Sequence, residues 1–133
     1  MNVRRVGEGS VWLEGEDLIV FQWVGTIGAE ETAAVMEWCH EVYDRLDRVF
    51  LMLDMRRAVH VNAAGRKQMV RYARARPLTA AVLVGARFQL RVVVNLVINA
   101  LNMLREKEQP VCFVDSEEEG RQWLNRFRAE GEK

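Results

Sequence analysis

Val49-Phe50-Leu51-Met52-Leu53-Asp54 is a run of five apolar residues closed by a carboxylate. An unbroken apolar run of this kind suits a strand at the centre of a sheet, covered on both faces. The next seven residues, Met55-Arg56-Arg57-Ala58-Val59-His60-Val61, are expected to form a loop. Asn62 then stands where a helix N-cap is expected, and the helix it opens should end before Pro77. Buried strand, loop and helix in succession are the repeating unit of an α/β fold.

Upstream of this unit, Val11–Leu13 and Leu18–Val24 are β-rich runs separated by Glu14-Gly15-Glu16-Asp17, which reads as a hairpin. Gly25 and Gly28 break the pattern, and a helix follows with Val35, Trp38, Cys39, Val42 and Leu46 at helical spacing. His40 is placed on its wet side. Downstream, Ala80–Val84 is a further strand, a long helix is expected from about Ala86 to Glu108, and Pro110–Val114 is the last strand. Ser116 with Glu119 three residues on forms a capping box for a final helix containing Trp123, Leu124 and Phe127. The order is ββαβαβαβα. It implies an α/β fold with a mixed, mainly parallel sheet of about five strands, and one domain across residues 1–133.

The 133 residues carry no net charge, but the balance hides a segregation. Residues 1–54 hold 4 Lys/Arg against 11 Asp/Glu, residues 55–105 hold 10 Lys/Arg and no carboxylate, and residues 106–133 hold 5 against 8. Either the basic middle pairs with the acidic ends inside the fold, or it forms a surface patch for an anionic partner. On a helical wheel, Arg66, Lys67, Arg71 and Arg74 share one arc of about 140°, opposite Gly65, Met69, Tyr72 and Ala73. The helix after the fourth strand has the reverse excess. Its apolar face, including Val93, Leu96, Val97, Ala100 and Leu104, is wider than the roughly 100° that one sheet face requires. A neighbouring helix, a second copy of the chain in a homodimer, or an apolar ligand could cover the remainder.

Several chemistries are excluded by what is missing. No glycine-rich phosphate loop follows a strand. The two serines, Ser10 and Ser116, lie in no nucleophile elbow, and His40 and His60 have no metal spacing to each other or to Cys39 and Cys112. The expectation is a protein that is not an enzyme, with no catalytic residues, no metal and no cofactor. No signal-like or membrane-spanning run is present in the sequence, and both cysteines read as buried thiols, which points to the cytoplasm.

The element order, and the tract from Val49 to Gly65, resemble the STAS domains. These are small anti-anti-sigma-factor-like regulators, including a stand-alone branch related to Sec14-type lipid binders. In members with the switch intact, the tract reads apolar–Asp-Ser-Ser-Gly, and a serine at the helix start is phosphorylated by a partner kinase. Here the matching positions are Asn62, Ala63, Ala64 and Gly65: the glycine matches, the hydroxyls are absent, and that switch cannot operate. The resemblance implies a non-catalytic regulatory module that binds a protein partner. Loops at the carboxyl ends of parallel strands converge on one edge. Arg56, Arg57, Arg66, Lys67, Arg87 and Arg91 are therefore expected to ring one rim, which with Asn62 at the helix start and the stripe continued by Arg71 and Arg74 would bind a protein partner or anionic ligand. The alternative is a lipid or small apolar-ligand binder whose rim meets anionic head groups or a membrane surface. DNA is not expected as a partner, because stacking aromatics are missing from the basic faces.

Overall fold

The computed structural model describes residues 2–76, 78–103 and 110–131. Six strands and four helices follow in the order β1 (Val3–Val6), β2 (Gly9–Glu14), β3 (Leu18–Ile27), α1 (Ala29–Leu46), β4 (Phe50–Val61), α2 (Ala63–Ala75), β5 (Ala80–Val84), α3 (Phe88–Asn102), β6 (Val111–Val114) and α4 (Glu117–Gly131). They form one sheet in which spatial order equals chain order. β1, β2 and β3 are antiparallel neighbours, and β3, β4, β5 and β6 are parallel. The mixed, mainly parallel α/β sheet expected from the sequence is present with one strand more. Val3-Arg4-Arg5-Val6 is too charged to read as a strand, yet it pairs with β2 as an edge, where cations discourage further pairing.

Sequential parallel strands joined by right-handed crossovers put every crossover helix on the same face. The core divides accordingly. α1 (Val35, Trp38, Cys39, Val42), α2 (Ala73) and α3 (Leu90) share one apolar cluster with Ile19, Phe21, Trp23, Leu51, Met55 and Leu83. On the other face, Leu124, Trp123 and Phe127 of α4 pack on Leu18, Val20, Phe50, Met52, Val82 and Val84. β4 is thus covered on both sides through Met52, as its apolar run requires. Gly120 lets α4 come close to the sheet: a Cβ there would lie 2.9 Å from a Val82 methyl.

Helix ends follow the sequence signals. Asn62 Oδ1 accepts from Gly65 N–H at 2.8 Å, capping α2. Ser116 Oγ accepts from Glu119 N–H at 3.1 Å, while the Glu119 carboxylate reaches the Asp115 N–H at 3.5 Å, one residue before the position a full capping box would use. α3 is described only to Asn102, so its expected continuation to Glu108 lies outside the described residues. Cys39 is fully buried, and burial pushes its thiol up to about 12. Cys112 is half-buried.

Residues Met55–Val61 are not a loop. β4 continues through them, paired with β3 as far as Ile27↔Val61. Two register shifts, between Gln22 and Val24 and between Gly25 and Thr26, each place one extra residue in β4. Each bulge turns two successive side chains outward. Burial then repeats every three residues: Met55, Ala58 and Val61 are buried, and Arg56-Arg57 and Val59-His60 are exposed. A strand with that period has no two-residue alternation to read. Gly25, at φ +76°, supplies the left-handed backbone beside the second shift.

The ends of the sheet are tied by Asp17, which is buried after the β2–β3 turn. Its carboxylate takes Arg48 Nε at 2.9 Å and an Arg128 guanidinium nitrogen at 2.6 Å, joining β3 to the start of β4 and the end of α4. Replacing it would leave two guanidinium groups facing a vacated, largely dry site. Asp17→Asn is expected to lower stability by about 1–3 kcal/mol in urea unfolding, with no change in secondary structure by circular dichroism. A loss below a few tenths of a kcal/mol would show that the clasp carries no weight.

Candidate functional site

The nine polar residues proposed for the rim, the helix start and the α2 stripe do not act as one group. Arg56 is committed inward. Its Nε and a terminal nitrogen meet the Asp54 carboxylate at 2.9 and 2.6 Å, and Glu117 lies 3.9 Å away. Asp54 and Arg56, two residues apart in β4, share a face of the strand, and this bidentate pair is the result. The Arg56 guanidinium holds the Asp54 carboxyl below the usual carboxylate range, against the opposing effect of burial. Arg91 is also engaged: its Nε donates to the Ala86 carbonyl at 3.0 Å, its guanidinium stands 4.0 Å from Asp115, and it lies over the Phe113 ring. Asn62 is used as a helix cap, and Arg66 donates to the Val61 carbonyl at 2.9 Å. Asp54, Asp115 and Glu117 arrive at this edge too, so Arg56 and Arg91 are paired within the chain. The expectation of a continuous positive rim is corrected to that extent.

Cations remain on α2. Lys67, Arg71 and Arg74 are exposed, and together with Arg66 and Val70 they line a shallow concavity on the outer face of the helix. Among the described residues, none of these four cations, nor Arg57 or Arg87, lies within 4 Å of a carboxylate. The other flank of α2 is tied to α1. Tyr72 Oη donates to Glu37 at 2.8 Å, His40 Nε2 lies 3.0 Å from the Tyr72 carbonyl, and Arg76 Nε meets Asp44 at 2.6 Å. His40 is therefore half-buried against α2 instead of facing water, as its place on the wheel suggested. Tyr72 and Arg76 are thus turned to α1, while Met69 and Ala73 line the space shared with α3.

The wide apolar face of α3 has two destinations. Val93 and Val97 line a partly open apolar cavity of about 120 Å³ between the sheet and α1, α2 and α3. Leu96, which was grouped with them, points the other way and is 62% exposed. It belongs to an outer row with Phe88 (79% exposed), Val92 and Met103 (87% exposed). These residues recur at four- and seven-residue intervals, so they form one stripe along the helix. Sequence reading missed this row as a separate feature, although its spacing was there to be found. Ala100 is half-buried and does not line the cavity, and Leu104 lies outside the described residues. His60 is exposed near the end of β4, not in a loop. Among the described residues, no three His, Cys, Asp or Glu side chains gather to hold a metal ion, and no helix is long and apolar enough to cross a membrane.

Two solved structures share this architecture. The chain is similar to the anti-sigma factor antagonist SpoIIAA in its unphosphorylated form, with a TM-score of 0.62 and 11% sequence identity over 88% of this chain and 97% of that one. It is also similar to an uncharacterized DUF3478-family protein from Shewanella loihica with a SpoIIAA-like fold, with a TM-score of 0.56 and 10% identity over 92% and 90% of the two chains. The fold is therefore STAS-like, of the SpoIIAA type. No family model matches the chain, and no curated protein matches it in sequence.

The Asp54–Arg56 pair gives a pH dependence of known sign. Because the carboxyl titrates lower in the folded chain than in the unfolded one, its contribution is complete above the unfolded value of about 3.9. It is lost as the pH falls through the folded value. A carboxyl-carbon NMR titration should find Asp54 below the ordinary range in the wild type and moved upward in Arg56→Ala. An unmoved Asp54 midpoint would mean that Arg56 does not hold it.

Proposed function

We propose that the chain is a non-catalytic regulatory module that docks an acidic protein surface across α2 and α3. One observation carries this reading: four cations on one face of α2, without carboxylate partners among the described residues, stand beside a helix that exposes Phe88, Val92, Leu96 and Met103. Surface arginines with no internal partner cost the fold nothing to re-pair, and they steer an oppositely charged partner toward an apolar centre that excludes water. The likeness of fold to an anti-sigma factor antagonist supports a protein-directed role. The partner complementary to this face carries carboxylates along one side and a few large apolar side chains along the other. A membrane surface with anionic head groups has the same charge but no such pattern, and a homodimer would place the α2 cations near one another.

The cavity behind α3 favours a second reading, a small apolar-ligand site. At about 120 Å³ it is well short of the roughly 300–1,000 Å³ of drug-sized sites. It is close to the ~150 Å³ of an apolar cavity that takes benzene. The lipid expectation therefore narrows to a ligand of about one ring.

Arg71→Glu with Arg74→Glu tests the docking reading. Immobilised wild type should retain a partner that is released by raised salt. The double variant should lose it, with association slowed roughly ten-fold or more at low ionic strength. The same partner held equally by both proteins would contradict the assignment. So would binding only to phosphatidylserine vesicles.

A further inference from the structure

The two edges of the sheet are built differently. β1 carries Arg4 and Arg5, both exposed, and cations on an edge discourage a further strand. β6 is Val111-Cys112-Phe113-Val114, with no charge and no proline. Its composition is that of an interior strand such as β5, whose five residues are all buried. Among the described residues, however, β5 is the only strand paired with β6, and all four β6 residues are half-buried. An uncharged apolar strand at an edge is a template for another strand.

The hydrogen bonds to β5 show which backbone groups are left over. The Pro110 carbonyl accepts from the Ala81 N–H and the Val114 carbonyl from the Gly85 N–H, both at 2.9 Å. Successive residues of a strand direct their N–H and C=O groups to opposite sides. Cys112 and Val114 therefore face β5, and Val111 and Phe113 turn both of their backbone groups outward. Among the described residues, the hydrogen-bond partner found there is a weak donor, the Cys112 thiol, 3.8 Å from the Phe113 carbonyl.

This outward set is symmetric about Cys112, so it is complementary to itself. A two-fold axis at Cys112 brings a second β6 alongside, antiparallel to the first. Val111 then lies opposite Phe113 of the second copy, and the reverse. Each of these pairs exchanges two N–H···O=C bonds. Between them, Cys112 meets its own counterpart as a non-hydrogen-bonded pair, with Cα atoms about 4.5 Å apart. That spacing falls within the roughly 4.4–6.8 Å that a disulfide spans.

We infer that β6 is a homodimer edge, where two copies of this chain join their sheets into one across a two-fold axis at Cys112. The contact is separate from the α2–α3 face and does not depend on the docking reading. Directly opposite residues point to the same face, so the α1–α3 layers of both copies lie on one side of the joined sheet. The α2 cations take no part in the contact.

Sedimentation velocity over a wide concentration range should show a monomer–dimer equilibrium. Diamide, which takes two electrons and two protons from a pair of thiols, should link the dimer through Cys112, since Cys39 is fully buried. Cys112→Ser should dimerise without the link. Val111→Pro removes an outward N–H and leaves the bonds to β5 in place, so it should weaken dimerisation roughly ten-fold or more. Cys112→Lys sets like charges opposite each other and should act in the same direction. Circular dichroism melts of both variants separate loss of pairing from loss of fold. A wild-type chain that stays monomeric at every concentration would overturn the inference. So would a dimer that diamide does not link and that both folded variants keep.

Discussion

The fold depends on β4 staying paired to β3 along its whole length. β4 has twelve residues, but β5 pairs with it only as far as Asp54↔Val84. In the first half, a helix layer covers each face, and the strand is apolar on both sides. In the second half, only the face toward α1–α3 is filled. The backbone meets that change with two bulges. Each keeps a small or flexible apolar residue inward and turns a pair of side chains out. The start of α2 follows from this, because Asn62 can cap it only where the end of β4 meets the end of β3, and the Asn62 N–H bonds to the Ile27 carbonyl at 3.0 Å.

The same pairing sorts the charges. Asp54 and Arg56 share a face of β4, which makes a cation of the basic middle segment a structural partner. The start of α4 then adds Glu117 and Asp115 to that edge, close to Arg56 and Arg91. Arg76 is taken by Asp44 of α1. Exposed ion pairs of this sort contribute little stability. Their effect is on where net charge remains. They neutralise the carboxyl edge of the sheet and leave the outer face of α2 positive. The segregation of charge along the chain is therefore partly cancelled at one place and kept at another.

Much of the architecture was legible in the sequence. The hairpin around Glu14–Asp17, the Asn62 cap, the Ser116 N-cap and the final helix with Leu124 inward all rest on local signals, and local signals survive in the folded chain. What escaped has a common cause. β1 carries two arginines on an edge, and the second half of β4 repeats every three residues, so neither shows the alternation by which strands are recognised. The site was legible only in part. The α2 stripe could be read because a helix fixes the relative direction of its side chains. The rim could not, since Arg56 fell in a tract read as a loop, where strand alternation with Asp54 does not apply, and Arg91 meets Asp115 through tertiary packing. The breadth of the α3 apolar face was visible, but a wheel does not say that Val93 and Val97 line a void while Leu96 faces water.

The account turns on one contrast: arginines of the basic segment are either held by the sheet edge or left unpaired on α2. Proton exchange at the arginine Nε–H groups, read by NMR in the isolated chain, tests it directly. Slow exchange is expected at Arg56 and Arg91, whose Nε–H groups are bonded to Asp54 and the Ala86 carbonyl, with fast exchange at Arg71 and Arg74. Uniformly fast exchange, or protection on α2 with none at Arg56, would contradict the account.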